Sequence, residues 1–175
     1  YREMQRHSRH DSLTGLLNHS AAKGRLNQLV QSLQAAEESL CVAMLDIDHF
    51  KSINDTYGHP VGDQVIRSLA WLLKGRLRAS DIIGRYGGEE FMVVLRSAGL
   101  DEAEAVLDCI RADFATLPHA HAGGALRATF SAGIACFPAW KTGNDLTHAA
   151  DGALLEAKRL GRNRIARARQ ADSAR

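Results

Sequence analysis

The run LCVAMLDI, Leu40 to Ile47, is apolar at successive positions and then ends in acid. Successive side chains of a strand point to opposite faces, so a short run without a polar face reads as a strand covered on both sides. The rest of the chain supplies elements to cover it. Leu26, Leu29, Val30 and Leu33 recur at helical spacing from Ala22 to about Ala36. Val61, Val65, Leu69, Leu72, Leu73 and Leu77 mark a second helix running to about Arg78. Ala103, Val106, Leu107, Ile110 and Phe114 predict a third, and Leu146, Ala149, Ala150, Ala153 and Ala157 a last one, stopped at Gly161.

Strands fall between these helices. SDIIGRY and EEFMVVLR read as two strands joined at Gly87 and Gly88, a pair suited to the positive φ angles of a two-residue hairpin. LRATFSAGIACF, Leu126 to Phe137, puts Leu126, Ala128, Phe130, Ala132, Ile134 and Cys136 on one face with a period of two. A short strand is expected near Arg164 to Ala168. The order α, β, α, β, β, α, β, α, β predicts an α/β domain with a mixed central sheet flanked by helices and one internal hairpin. The segment DHFKSINDTYGHP is left as a compact connection.

With 175 residues, 45% of them hydrophobic, the chain has the core of one ordinary domain. That domain is expected over residues 11–168. Residues 1–10, YREMQRHSRH, are polar and basic and read as the end of an incoming helix. DSLTGLLN, with Asp11, Ser12, Thr14, Gly15 and Asn18, separates that helix from the body. Residues 169–175 are expected to fray, and a start at Tyr1 suggests a piece of a longer chain. The net charge of +2 gives no field pointing to nucleic acid or anionic lipid. No apolar run approaches the ~20 residues needed to span a bilayer, so a soluble, cytoplasmic piece without membrane contact is expected. Cys41, Cys109 and Cys136 lie far apart without CxxC spacing, which suits a reducing compartment. His119 and His121 are neighbours with no cysteine near them, and read as a loop rather than a zinc site.

Strands are poor in Asp and Glu, yet one here ends in Asp46-Ile47-Asp48 and another opens with Glu89-Glu90. If these strands are neighbours, their carboxylates meet at one end of the sheet. That is how a protein holds magnesium, a hard cation that takes oxygen ligands and keeps positions free for substrate phosphates. The pattern points to phosphoryl or nucleotidyl transfer. The plain alternative has Asp48 capping the next helix and Glu89 facing solvent. Gly87 and Gly88 likewise serve either a turn alone or a turn that lets backbone N–H groups approach a ligand.

From Asp11 to nearly its end, the chain resembles the GGDEF family of diguanylate cyclases. DSLTGLLN resembles the family's opening motif, DIDHFKSINDTYGHPVGD its metal and guanine segment and RYGGEEF its signature in the Glu variant. FSAGIA resembles a core strand and ADGALLEAKRLGRN the closing helix. The resemblance implies a fold like the palm of nucleotide cyclases and polymerases, and condensation of two GTP into cyclic di-GMP with release of two pyrophosphates. It implies that Asp46 and Glu89 ligate Mg2+, with Mn2+ an alternative, and that the Ile47 carbonyl completes the protein's share. Glu90 is implied as the helper at a second ion or at the 3'-OH. Asp46, Glu89 and Glu90 would then be the catalytic acids.

Asn54 and Asp63 match the family's guanine contacts, a carboxylate and an amide able to select the donors at N1 and N2. Taken alone, they read as a turn residue and a first-turn helix acid. Lys51, Lys158 and Arg162 match positions that meet the triphosphate, though each alone reads as a solvated charge. Phe50, Gly87 and Gly88 complete the implied substrate site. Arg78 and Asp81, in RASD, match the family's inhibitory site for its own product, where arginine pairs with guanine O6 and N7. Alone they read as a salt bridge at a helix end.

Two departures stand out. Asn18-His19-Ser20 replaces the usual Asn-Arg-Arg, which puts local salt bridges in doubt, and Leu155 replaces a common tyrosine, read as packing. The implied partners are GTP, cyclic di-GMP, a second copy in an active homodimer and an upstream sensory domain of the same chain. A catalytically silent module binding GTP or cyclic di-GMP, and another nucleotidyl cyclase on the same palm, are the competing readings.

Overall fold

The computed structural model describes residues 8–33 and 38–170. The incoming helix expected over 1–10 falls mainly outside this range, as do the last residues of the first predicted helix and most of the tail. In chain order the elements are α1 (His19–Leu33), β1 (Leu40–Ile47), α2 (Phe50–Tyr57), α3 (His59–Arg76), β2 (Ile82–Arg85), β3 (Glu90–Arg96), α4 (Leu100–Thr116), β4 (His119–His121), β5 (Gly124–Leu126), β6 (Phe130–Phe137), α5 (Gly143–Arg159) and β7 (Ile165–Arg167).

The five-stranded sheet has the order β2-β3-β1-β6-β7. β1 is antiparallel to both β3 and β6, β2 is antiparallel to β3, and β6 is parallel to β7. The sheet is therefore mixed, as the pattern of elements predicts. Every residue of β1 is buried. Cys41, Ala43, Leu45 and Ile47 enter a core shared with α3 and α4 through Leu69, Leu73, Leu107 and Phe114. Leu40, Val42 and Met44 enter a second core with α1 and α5 through Leu26, Val30, Leu146 and Leu154. Two-sided cover is what an uninterrupted apolar strand requires.

Several expectations need correction. DHFKSINDTYGHP contains a helix, α2, set between His49 at φ 55 and Gly58 at φ 91; it is too short to show a repeating apolar face. The strand predicted from Leu126 to Phe137 divides, because Leu126 belongs to a separate β4-β5 hairpin and β6 begins only at Phe130. His119 and His121 lie in β4 rather than a loop, and His119 is buried. Gly87 and Gly88 are not among the residues with positive φ. The connection runs over residues 86–89, and the N–H groups of Tyr86 and Gly87 both donate to the Glu90 carbonyl, at 2.8 and 3.3 Å.

Cys41 and Cys136 face each other across β1 and β6 and are joined in a disulfide, against the expectation of three unpaired thiols; Cys109 is free and exposed. Sequence spacing hid the pair because a crossover strand brings distant positions into register. Leu155 is 52% exposed on α5, so its replacement of tyrosine is not core packing.

Gly161 does stop α5. With φ at 122 there and at 63 and 47 on Arg162 and Asn163, the chain turns left-handed, and the Gly161 and Arg162 N–H groups return to the carbonyls of Lys158 and Ala157. Among the described residues no helix is long and apolar enough to cross a membrane.

Candidate active site

The acids converge. Asp46, next to last in β1, lies directly opposite Glu90, the first residue of β3, and the Ile47 N–H donates to the Glu89 carbonyl at 3.2 Å. Alternation puts Asp46 on the face of Val42 and Met44, and Glu90 on that of Met92 and Val94, so both rise toward α1 and α5. Glu89 stands just before the strand, at the same end of the sheet. From α5, Lys158 reaches across and its Nζ lies 2.7 Å from Asp46 Oδ2.

The neighbourhood is crowded with negative charge. Burial and then the charges of Asp46, Asp151 and Glu89 push the Glu90 carboxyl above its ordinary range, with Lys158 opposing. Asp151 is also held up, first by burial and then by Asp46, against His148 and Lys158. Burial, Asp151 and Glu90 likewise push Tyr86 up. Several acids around one lysine are short of positive charge.

Among the described residues no group of three or more His, Cys, Asp and Glu side chains is assembled to hold an ion. The expected donor set is smaller, two carboxylates and the Ile47 carbonyl, with the remaining positions left to water and phosphate. Hard oxygen donors in a cation-poor cluster, with a lysine ammonium against Asp46, fit a divalent cation.

Asp48 does something else. It is buried, and it accepts from Thr129 Oγ1 and Ser131 Oγ, both at 2.7 Å, and from the Asn163 N–H at 3.0 Å. It provides no cap for α2. Instead it fastens the left-handed turn after α5 to the end of β1 and the start of β6, which holds the segment carrying Lys158 and Arg162. Neither Asp48 in this role nor Asp151 was among the expected site residues. The Asp48 contacts join positions 81 to 115 residues apart, so no local pattern announces them.

The expected base-reading residues sit on α2 and α3. Asn54 Oδ1 is buried with no hydrogen-bond partner among the described residues. It lies over Gly62, where a Cβ would come within 1.9 Å of Asn54 Oδ1 and 3.2 Å of Phe50 Cζ. Asp63 follows immediately, half-buried. Lys51 and Arg162 are exposed. Gly88 is exposed, with open space where its side chain would be, whereas a Cβ on Gly87 would press on Glu90 at 3.3 Å.

The hairpin is held from behind. Arg85 donates through Nε and Nη2 to the Gly88 carbonyl, at 3.1 and 2.8 Å, and through Nη1 to Asp11 Oδ1 at 3.1 Å. His19, where an arginine was expected, stacks on Tyr86 with ring centroids 3.8 Å apart and bonds the Tyr86 carbonyl through Nδ1 at 2.9 Å.

Arg78 and Asp81 lie away from this cluster, at the turn between α3 and β2. Asp81 accepts from the N–H groups of Arg78 and Arg96, at 2.9 and 3.2 Å, and its side chain is 2% exposed. The Arg78 guanidinium, 55% exposed, donates to the Arg96 carbonyl at 2.6 Å.

A family model described as diguanylate cyclase, GGDEF domain, matches residues 8–164. Diguanylate cyclase DgcP of Pseudomonas aeruginosa is 44% identical over 155 residues, 89% of this chain but 23% of that protein, so the chain spans less than a quarter of that relative's length. The GGDEF domain of DgcB from Caulobacter crescentus, solved in complex with c-di-GMP, is similar with a TM-score of 0.89 and 33% identity, covering 93% of this chain and 94% of that one. The active GGEEF domain of a diguanylate cyclase from Vibrio cholerae gives a TM-score of 0.83 at 31% identity, covering 89% and 99%.

Proposed function

The chain belongs to the GGDEF family of diguanylate cyclases, and on that premise we propose that it condenses two GTP into cyclic di-GMP and two pyrophosphates. The observation that carries this reading is the pairing of Asp46 with Glu90, with Glu89 beside them and Lys158 on Asp46. Asp46, Glu89 and the Ile47 carbonyl would hold Mg2+. When bound, the ion polarises the α-phosphate and neutralises the leaving pyrophosphate.

The protein's own groups do the rest. Asn54 offers guanine an unspent acceptor, and Asp63 accepts from its N–H edge. Phe50 and Gly62 form the floor under Asn54. Lys51, Lys158 and Arg162 meet the triphosphate, and Gly87 and Gly88 leave its path clear. Glu90, its proton affinity raised first by burial and then by the neighbouring acids, is the group proposed to take the 3'-OH proton.

One such site carries one GTP. The product is two-fold symmetric, so two copies must face each other with each 3'-OH aimed at the other's α-phosphate. We assign residues 11–168 to this catalytic domain, and an upstream sensory domain would act by setting the two copies' approach. The product is proposed to bind at Arg78 and Asp81 and to inhibit. There Arg78 is the exposed partner, with Asp81 holding its backbone.

The protein should be incubated with Mg2+ and GTP or ATP at several protein concentrations, and the products identified by chromatography. Cyclic di-GMP from GTP alone, rising faster than linearly with protein, is expected. No cyclic di-GMP at the highest concentration would leave a silent module, and turnover of ATP would indicate another cyclase. Isothermal titration of Arg78→Ala with cyclic di-GMP tests the regulatory part. Unchanged affinity and inhibition would remove it.

A further inference from the structure

Cys41 and Cys136 occupy directly opposed positions on the central antiparallel pair β1-β6 and are joined there. The two sulfurs differ in access. Cys41 is 1% exposed, whereas Cys136 is partly exposed and lines a cleft of about 240 Å³ beside Ala139, Trp140 and Gln170. The separated state is also provided for. Cys41 Sγ lies 3.3 Å from the Ala98 carbonyl, so a reduced thiol there has an acceptor. β1 is hydrogen-bonded along its length to β3 as well as β6, so the sheet holds together without the link.

We propose that Cys41 and Cys136 form a reversible thiol–disulfide modification site, opened and closed by low-molecular-mass thiols and disulfides of the glutathione class that reach Cys136 through this cleft. Closure proceeds by two exchanges. The Cys136 thiolate attacks one sulfur of glutathione disulfide, forming a mixed disulfide and releasing one glutathione thiolate. The Cys41 thiolate then attacks Cys136 Sγ and displaces the second glutathione. Two protein thiols are oxidised, one external disulfide is reduced to two thiols, and the protein's thiol protons pass to the departing glutathione. Reduction runs the same steps backwards. Cys41 cannot make the first attack, because no external disulfide reaches a buried sulfur.

The link joins residues 95 apart in sequence, so it constrains the unfolded chain strongly. It also lies at the far end of β1 from Asp46, so closure should raise stability and leave the acids in place.

The test uses the whole chain with Cys109→Ser, which removes the exposed third thiol. The reduced folded protein is treated with glutathione disulfide, and its thiols are counted by alkylation and intact mass. The expected result is loss of both thiols with no retained glutathione, and a melting temperature higher by roughly 5–15 °C. Dithiothreitol should reverse both without denaturant. Adding Cys41→Ser should leave one glutathione trapped on Cys136, whereas adding Cys136→Ser should leave Cys41 unmodified while folded.

Retention of both thiols under glutathione disulfide, equal labelling of the two positions, or a link that dithiothreitol opens only after unfolding would overturn the proposal. Should the serine variants not fold, peptide mapping of the unaltered chain, reduced while folded and then briefly treated with glutathione disulfide, decides the same question: glutathione on Cys136 ahead of the Cys41–Cys136 cross-link supports the proposal, and glutathione on Cys41 or no cross-link overturns it. None of these readouts depends on cyclase activity, so they stand or fall separately from the proposed reaction.

Discussion

Asn54 carries the most specific information of any single residue, because its amide oxygen is buried and finds no hydrogen-bond partner among the described residues. A buried acceptor without a donor costs stability, and a ligand that brings the donor recovers that cost on binding. Asn54→Ala should therefore separate folding from function. The melting temperature of the free protein should stay level or rise slightly, while KM for GTP rises about tenfold or more. Thermal denaturation with and without GTP, beside steady-state kinetics, checks both signs. A loss of stability in the free variant would mean that the oxygen is bonded within the fold.

Gly62 should be equally intolerant, since its Cβ would occupy the space of Asn54 Oδ1. From the chain alone Asn54 read as a turn residue, and only the family resemblance singled it out. Asp48 shows why. Its three partners come from β6, the residue before it and the turn after α5, and nothing near it in sequence marks a buried carboxylate as saturated rather than catalytic.

Among the elements, α5 positions most of the cationic side of the site, and it does so through Gly133 of β6. A Cβ there would lie 2.1 Å from the Ala150 carbonyl oxygen and 2.2 Å from the Leu154 nitrogen. These are backbone atoms and cannot rotate away. Gly133→Ala should lift α5 from the sheet at a cost of about 3 kcal/mol, lowering the melting temperature by roughly 6–12 °C. It should also lower kcat, because the bond from Lys158 to Asp46 depends on that docking. Differential scanning calorimetry and turnover measured well below the transition would separate the two effects. The strand, helix and hairpin framework was legible because β1 is an unbroken apolar run and α3, α4 and α5 carry apolar residues at helical spacing over several turns. The elements that escaped, α2, β4 and β5, are short and defined by left-handed breaks at His49, Gly58 and Gly124, which a hydrophobic pattern does not register.

For the whole molecule, several titratable groups decide how acid acts on the fold, and they act in opposite senses. His119 on β4 is buried between Ser68 of α3, which meets its Nδ1 at 3.3 Å, and Phe114 of α4. Burial holds its pKa below the ordinary 6.5. The unfolded chain therefore takes up a proton near pH 6.5 that the folded chain refuses, and stability falls as pH drops from there until the folded pKa is passed.

Asp11 acts in a lower window. Burial alone would raise it, but the hydrogen bonds from Thr14 and then the charge and hydrogen bond of Arg85 outweigh burial and hold it below 3.8, so its contribution is present above that value and lost as pH falls through its folded pKa. Glu90 and Asp151 work in the opposite sense, because raised carboxyls bind protons more readily when folded, and acidification relieves their repulsion.

These opposing terms make the bare pH profile of the protein a poor test, and a difference profile a good one. His119→Gln keeps a polar group in place but removes the titration. The melting temperature of the unaltered protein minus that of His119→Gln should be largest near pH 7.5 and shrink steadily toward pH 5. A difference that stays flat across that range would mean that His119 is as easily protonated in the fold as outside it, and that β4 does not seal it from water.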